Sequence, residues 1–237
     1  MSLRKLDIFS DLTAGFESGV NPYRDLLAAA HDLPLVSGPA LREKRGAWRR
    51  FIAQHHPDFQ IETAPLLLEI GCHNGGTLRE LARTVPHGAC LGIDMTFKRA
   101  VKTAQKAVES QLPNMWSILG NAAQLPQLFS PGELDGIVAF FPDPWNQKRH
   151  QKKNRLFSAS FCQALYQMLR EGGFFWVKTD DEDYHGEIVA AVQAFGGKPS
   201  LVPMPFVEKK QQYISTFERK FRAQKLPIYE SFWVKLP

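Results

Sequence analysis

The sequence predicts an α/β protein with a mostly parallel seven-stranded sheet, helices on both faces of the sheet and a C-terminal antiparallel hairpin. From Pro65 onward, short apolar runs alternate with amphipathic segments of helical period. This alternation is typical of parallel strands joined by helical crossovers. Near the C-terminus, QYISTFERKF and IYESFWVKL are both rich in residues that favour strands and are separated only by RAQKLP. We therefore expect these two stretches to form a hairpin at one sheet edge.

The elements divide the chain into a helical N-terminal extension, residues 1–64, and one larger domain, residues 65–237. In the extension, SGPALREKRGAWRRFIAQHHPDF predicts a basic amphipathic helix that packs on the core. Its buried face would carry Leu41, Trp48, Phe51 and Ile52. In the domain, strands are predicted at LLLEI, CLGID, MWSIL, DGIVAFF and GGFFWVKTD, with helices at TLRELARTV and FKRAVKTAQKAVES between the first three strands.

Composition excludes several classes of protein. The chain has 237 residues, of which 44% are hydrophobic and 22% charged, values typical of a folded globular protein. No apolar run reaches the ~18 residues of a membrane helix, and MSLRKLDIFSDL lacks the apolar core of a secretory signal. Three widely spaced cysteines exclude a disulfide framework and favour a reducing cytoplasm. His55, His56 and His150 lack zinc-like spacing, so we expect no metal site.

A glycine-rich turn follows the first strand of the domain in LLLEIGCHNGGTL. Glycines there let the backbone approach a ligand, but His73 stands where a dinucleotide fingerprint needs its middle glycine. Asp94 ends the second strand, where an acid can bind both hydroxyls of a ribose. Together with Glu69, this pattern favours S-adenosylmethionine over NAD, because no pyrophosphate needs a cradle. The alternative is a glycine-rich strand–helix turn with no donor to bind.

A second motif ends the strand DGIVAFF, in the sequence PDPWNQKRHQKKNR. Two prolines stiffen the turn around Asp143, which we expect at the carboxyl edge of the sheet, where ligands bind in open α/β folds. Trp145 could stack on a base or anchor the loop. The run from Lys148 to Arg155 holds five cations and no acid, so it could bind phosphates or form a solvated helix start.

The stretch FFPDPWNQKRHQKK resembles the signature of bacterial tRNA (guanine-N7-)-methyltransferases, which methylate a guanosine in the tRNA variable loop. LLLEIGCHNGG with ACLGID, GGFFWVKTDDEDY, and STFER followed by IYESF resemble the same family, from about Gly46 to Trp233. The resemblance implies a Rossmann-like class I methyltransferase fold, S-adenosyl-L-methionine as cofactor, and tRNA as partner. Separately from the resemblance, we expect a cytoplasmic monomer or homodimer with no membrane or metal partner.

The resemblance implies roles for individual residues. The catalytic acid would be Asp143. The cofactor-binding residues would be Glu69, Gly71, Gly75, Asp94, Asn121 and Ala122. The substrate-binding residues would be Gln147, Asp180, Ser215, Thr216, Phe217 and Glu218, with Phe217 either stacking on the base or packing in the core. The residues along the RNA backbone would be Lys148, Arg149, His150, Lys152 and Lys153.

The chain also departs from the family pattern at several positions. On the donor side, His73 replaces a glycine, Asp94 a glutamate and Asn121 an aspartate. On the substrate side, the departures are Gln147, Asn154, Gln212, Ser215, and Lys225 with Leu226 in place of a glycine–histidine pair. These departures leave two alternatives to tRNA methylation open. One is a divergent paralogue that methylates another, possibly small heteroaromatic, substrate, and the other is a non-catalytic RNA-binding module.

Overall fold

The structure, a computed structural model, describes residues 8–10, 25–26, 32–146, 149–200 and 213–237, without the side chains of residues 149 and 150. The chain divides into two compact units, Met1–Ser130 and Pro131–Pro237. Each unit contains four strands among the described residues.

In the first unit, all strand pairings are parallel. The strands are β1 (Leu35–Ser37), β2 (Leu66–Ile70), β3 (Ala89–Asp94) and β4 (Met115–Leu119). They lie in the spatial order β1-β4-β3-β2. Every residue of β2, β3 and β4 is buried, which explains why they are continuous apolar runs rather than alternating ones. The register pairs Ile70 with Ile93 and Asp94 with Leu119, so the carboxyl ends of these three strands lie at one edge.

The helices of this unit are α1 (Trp48–Ala53), α2 (Gly76–Thr84), α3 (Phe97–Glu109) and α4 (Leu125–Leu128). The two helices predicted between the first three strands are confirmed as α2 and α3. The predicted basic helix is shorter than expected, because Gly46 adopts a left-handed backbone (φ 73°) that interrupts the helical path. A 3-10 turn, Gly38–Leu41, precedes the interruption and α1 follows it.

The buried face predicted for that helix is largely confirmed. Leu41, Trp48 and Ile52 are fully buried, while Phe51 is half-buried. The indole N–H of Trp48 donates to the carbonyl of Leu128 at 2.9 Å, so the polar edge of this core ring is satisfied. The extension predicted for residues 1–64 also contains β1, a strand that the sequence analysis did not anticipate.

The second unit is mixed. Its strands are β5 (Leu134–Phe140), β6 (Leu169–Thr179), β7 (Lys198–Pro199) and β8 (Tyr229–Val234), in the order β5-β6-β8-β7. β5 and β6 are parallel, whereas β8 runs antiparallel to both β6 and β7. The helices are α5 (Ala159–Met168), α6 (Glu182–Ala194) and α7 (Thr216–Ala223).

The first arm of the predicted hairpin is wrong. STFERKF forms α7 instead of a strand, and the antiparallel partners of β8 are β6 and β7. The reason is local: Ser215 caps the helix by accepting a hydrogen bond from the N–H of Glu218 at 3.0 Å, the start signal S-x-x-E. The antiparallel C-terminal strand itself is confirmed as β8. With β1 and β7 added, the described residues form eight strands, one more than predicted.

Two further properties concern the described residues alone. None of their helices combines the length and apolar character needed to cross a bilayer. In the same ranges, no three His, Cys, Asp or Glu side chains cluster as a metal site would require. The three cysteines, Cys72, Cys90 and Cys162, are buried free thiols.

Candidate active site

The first group of predicted site residues lies where β2 and β3 end. The N–H of Gly71 donates to the carbonyl of Ile93 at 2.9 Å, which fixes the turn after β2 against the end of β3. A side chain placed on Gly71 or Gly76 would meet no atom of the described residues within 4 Å, so open space lies beside the turn in this part of the structure. Gly75 is different: its φ is 68° and a Cβ there would lie 2.9 Å from Met115 and Thr103, so only glycine fits.

Glu69 is buried in β2, with 4% of its surface exposed. Among the described residues, its Oε2 has no hydrogen-bond partner. Burial raises the pKa of the Glu69 carboxyl to about 8, against a smaller lowering by a hydrogen bond from the backbone of Leu78. A buried carboxylate oxygen without a partner is costly, and a cationic or hydrogen-bond-donating ligand would offset that cost.

Asp94, the last residue of β3, is also buried, at 5% exposure. Its Oδ1 accepts a hydrogen bond from the N–H of Thr96 at 2.9 Å, and its Oδ2 lies 3.7 Å from Nη1 of Arg99. Burial raises the pKa of the Asp94 carboxyl, although these contacts oppose the shift. The side chain is therefore oriented at the strand end by its own turn.

His73 stands where a dinucleotide fingerprint has its middle glycine, and it adopts the left-handed backbone that glycine would take, with φ 51°. The hydroxyl of Thr103 donates to the carbonyl of His73 at 3.2 Å and holds this conformation. Burial lowers the pKa of the imidazole. The departure at position 73 therefore keeps the path of the turn and adds a neutral ring to it.

Asn121 and Ala122 follow β4, and both are half-buried. Oδ1 of Asn121 accepts from the N–H of Ala123 at 3.0 Å and caps the 3-10 helix Ala122–Gln124. The N–H of Gly120, just before them, donates to the carbonyl of Asp94 at 3.0 Å. The predicted donor-side residues are thus brought together at the carboxyl ends of three adjacent strands.

In the second unit, the PDPW turn follows β5. Phe141, which precedes the turn, and Trp145, its last residue, both have positive φ, 56° and 45°. Non-glycine residues in that region are strained, and such strain is often found at functional sites. Asp143 lies exposed between them, and its Oδ1 accepts from the N–H of Trp145 at 3.1 Å. The N–H of Phe141 donates to the carbonyl of Lys178 at 2.7 Å, which ties the turn to β6.

The residues that follow β6 lie at the same edge. Asp180 is half-buried, and burial raises the pKa of its carboxyl. Asp181 caps α6 by accepting from the N–H of Tyr184 at 2.7 Å, and its Oδ2 accepts from Nδ2 of Asn146 at 2.6 Å. The second unit therefore brings Asp143 and Asp180 to neighbouring strand ends, as predicted from the sheet.

Glu218 is placed differently from the other predicted substrate residues. It is 1% exposed, with Oε2 at 3.1 Å from Nζ of the equally buried Lys178 and Oε1 at 2.6 Å from Nη2 of Arg222. Both oxygens are thus bound by cations of the chain itself. Phe217 is 42% exposed and stacks on Phe221, so the core interpretation of this ring is wrong.

Of the remaining substrate and RNA candidates, the structure describes only some. Ser215 is the N-cap of α7 and Thr216 its exposed first residue. Lys152 is ion-paired with Asp183, and Lys153 is exposed. Gln147 and Lys148, together with the departure at Gln212, lie outside the described residues. Arg149 and His150 begin the 3-10 helix Arg149–Asn154, but their side chains lie outside the described residues.

Two buried cations were missed by sequence reasoning. Lys178 lies in the apolar strand FFWVKT and Arg155 in the basic run, yet their side chains are only 1% and 4% exposed. A lysine inside an apolar strand is a signal that a buried carboxylate must pair with it. The partner, Glu218, is 40 residues away, so the sequence alone does not reveal it.

A family model described as “Putative methyltransferase” matches residues 63–231. The chain belongs to this methyltransferase family. The matched range runs from before β2 into β8, so it includes both groups of residues described above. The chemistry of the site is therefore that of a methyltransferase.

Two relatives of this methyltransferase are named tRNA (guanine-N(7)-)-methyltransferase. The one from Chromobacterium violaceum (strain ATCC 12472) is 37% identical over 127 residues, which cover 53% of this chain and 56% of that relative. The one from Geobacillus sp. (strain WCH70) is 26% identical over 210 residues, 88% of this chain and 90% of the relative. The first match is closer but spans only about half of that relative's length.

Among solved structures, the 16S rRNA methyltransferase KamB is similar, with a TM-score of 0.55 and 15% identity over 78% of this chain and 92% of that one. At this identity the likeness concerns the fold alone. It confirms the predicted Rossmann-like class I methyltransferase fold.

Proposed function

We propose that this protein transfers a methyl group from S-adenosyl-L-methionine to N7 of a guanosine in the variable loop of tRNA. The observation that carries the proposal is the strained PDPW turn, which presents the exposed carboxylate of Asp143 at the strand end next to Asp180. The family supports the methyl transfer, and the names of the two relatives support tRNA as the substrate.

The donor-side residues fit S-adenosylmethionine. This cofactor supplies an electrophilic methyl group on a sulfonium, and it carries positive charge. Oε2 of buried Glu69, which has no partner among the described residues, suits a cationic ligand, and the oriented carboxylate of Asp94 suits ribose hydroxyls. Open space beside Gly71 leaves room for the ligand against the backbone. The residues proposed to hold the cofactor are Glu69, Gly71, Gly75, Asp94, Asn121 and Ala122.

On the acceptor side, guanine N7 carries a lone pair and no proton, so it can attack a methyl group without a strong base. The enzyme must align the reacting atoms and stabilise the cationic product base. Asp143 is proposed to do the latter, since its charge is held in place by the turn. Asp180 can accept hydrogen bonds from guanine, and exposed Phe217 can stack on a base that has left the RNA fold.

The other substrate-side residues are proposed with narrower roles. Gln147, Ser215 and Thr216 would border the guanosine. Glu218 would have an indirect role, because its ion pair with Lys178 holds α7 in place. The RNA backbone would be bound by Lys148, Arg149, His150, Lys152 and Lys153. We propose residues 1–64 as an N-terminal extension, residues 65–237 as the methyltransferase domain, and the cytoplasm as the location, where tRNA is found.

The deciding assay incubates the protein with methyl-labelled S-adenosylmethionine and bulk tRNA that lacks N7-methylguanosine. The RNA is then digested to nucleosides, and we expect the label in N7-methylguanosine. Label in another nucleoside would contradict the proposed position. Absence of label in RNA despite donor binding would favour a small-molecule substrate. Absence of donor binding, measured by calorimetry with S-adenosylhomocysteine, would favour a non-catalytic RNA-binding module.

A further inference from the structure

Arg155 belongs to the basic run by sequence but is buried in the structure. Its side chain is 4% exposed, whereas that of Lys152 is 44% exposed. Nε donates to the carbonyl of Pro144 at 2.7 Å. Nη1 lies 2.8 Å from Oε1 of Glu187 and 3.1 Å from Oδ2 of Asp183. The guanidinium also covers a ring of α6, that of Tyr184, at 4.7 Å. Its donors are therefore directed at the protein rather than at a phosphate.

The contact with Pro144 completes a clamp on the PDPW turn. On one side of Asp143, the N–H of Phe141 is bound to the carbonyl of Lys178 at 2.7 Å. On the other side, the carbonyl of Pro144 is bound by Arg155. The turn is strained, and a strained backbone persists only where its surroundings over-determine it. Because the carboxyl group stands between the two contacts, its position depends on both.

We propose that Arg155 is a positioning residue for Asp143. It anchors the carbonyl after Asp143 to α6 through Glu187 and Asp183, and so fixes where the carboxylate stands. Only arginine can do this, because its planar fork offers Nε to the turn and the Nη atoms to the carboxylates at the same time. The inference rests on the proposed role of Asp143 in methyl transfer.

The kinetic test compares Arg155→Lys and Arg155→Gln with Lys153→Gln, an exposed position in the same basic run. For both Arg155 variants we expect kcat for tRNA methylation to fall on the order of 10²-fold, the cost of displacing a reacting group by about 1 Å. KM for tRNA and the dependence of tRNA binding on salt should not change. Lys153→Gln should instead weaken tRNA binding and make that binding less dependent on salt. An Arg155 variant that behaves like Lys153→Gln would overturn the proposal.

A double variant separates positioning from a general loss of structure. In the background of Asp143→Asn, changing Arg155 to Lys should lower kcat by less than twofold, because the charge it positions is already gone. Thermal unfolding of each variant controls for folding, and Arg155→Lys is retained if Arg155→Gln does not fold. Losses that multiply in the double variant would contradict the proposal.

A last measurement does not depend on methylation and so distinguishes this inference from the proposed function. The five tryptophans are labelled as 5-fluorotryptophan, and the Trp145 resonance is assigned with Trp145→Phe. Arg155→Lys should shift or broaden the ¹⁹F resonance of Trp145, which lies in the turn, and leave that of Trp48 unchanged. An unchanged Trp145 resonance would overturn the clamp, whatever the protein methylates.

Discussion

At the scale of single residues, Glu69 and Asp143 are two carboxylates in opposite environments. Glu69 is buried, one of its oxygens has no partner among the described residues, and burial raises its pKa to about 8. Asp143 is exposed and held by its own turn. The first is a group whose ionisation the fold opposes, and the second is a charge that the fold leaves accessible. A variant of Glu69 should therefore change how stability depends on pH, and a variant of Asp143 should change turnover.

The buried carboxyl of Glu69 should make stability depend on pH. Between the ordinary pKa of 4.5 and the folded value of about 8, the folded chain holds a proton that the unfolded chain has lost. The contribution of Glu69 is thus fully present below pH 4.5 and is lost as the pH rises to 8, on the order of 5 kcal/mol at most. Glu69→Gln should remove this decline, as measured by urea unfolding at pH 5 and pH 8.

The control for that experiment is Glu62→Gln, an isosteric change at an exposed glutamate of the same unit. In this variant, the difference between the free energies of unfolding at pH 5 and pH 8 should be the same as in the wild type. Equal pH dependence of wild type and Glu69→Gln would show that the Glu69 carboxyl titrates normally.

Asp143→Asn should lower turnover and leave the turn intact. Asparagine keeps an Oδ1 that can accept from the N–H of Trp145, so only the charge is lost. We expect kcat to fall on the order of 10²–10³-fold, as when one group that stabilises transition-state charge is removed. Binding of S-adenosylhomocysteine by calorimetry should be unchanged. Glu171→Gln, an exposed change on β6, is the matched control, and wild-type turnover in Asp143→Asn would exclude this residue from the chemistry.

At the scale of elements, α7 is held to β6 by a buried ion pair. Glu218 on α7 and Lys178 on β6 are both 1% exposed and 3.1 Å apart, and the second carboxylate oxygen is bound by Arg222. A broken buried pair leaves a desolvated charge, which costs more than the pair contributes. The position of α7, and with it the exposed ring of Phe217, therefore depends on this contact.

Glu218→Gln should lower the free energy of unfolding by about 3–5 kcal/mol, because buried Lys178 loses the carboxylate that pairs with it at 3.1 Å. Ser215→Ala, which removes only the helix cap, should cost about 1 kcal/mol. Denaturant unfolding of both variants measures the difference. In the double variant Lys178→Met, Glu218→Gln, part of the loss should be recovered. A cost below that of Ser215→Ala would mean that the pair does not anchor α7, and Glu218 would regain a direct role at the guanosine.

At the scale of the whole molecule, the net charge of +5 says less about binding of a nucleic acid than the ion pairs that the charged residues form within the protein. The basic run contacts the acidic residues that follow β6 within the second unit. Asp183 forms ion pairs with both Lys152 and Arg155. Part of the positive charge that the sequence offers to a nucleic acid is therefore neutralised by the protein. Lys153, in the 3-10 helix Arg149–Asn154, is exposed and is a candidate to contact a phosphate.

The salt dependence of tRNA binding should follow this pairing. Lys153→Ala should reduce the slope of log K against log salt by about 0.7–0.9, the effect of one lost phosphate contact. Asp183→Asn should increase the slope, because Lys152 is released from its ion pair. Filter binding over a range of salt concentrations measures both. Equal slopes in the wild type and both variants would place the RNA away from this helix.

The sequence by itself determined the α/β architecture and named the candidate residues for the donor side of the site. Buried parallel strands are continuous apolar runs, so β2 to β6 were readable from local pattern, and the carboxyl ends of those strands placed Glu69, Asp94 and Asp143 as candidates. The start of helix α7 is also marked in the sequence, by S-x-x-E, but the alternation of apolar residues in this segment was interpreted as a strand. Only the tertiary structure decided which charges are buried. Lys178 pairs with a carboxylate 40 residues away and Arg155 with one 28 residues away. Such pairing depends on which elements pack together, because desolvation and its compensation are properties of the packed neighbourhood and leave no periodic signal in the chain.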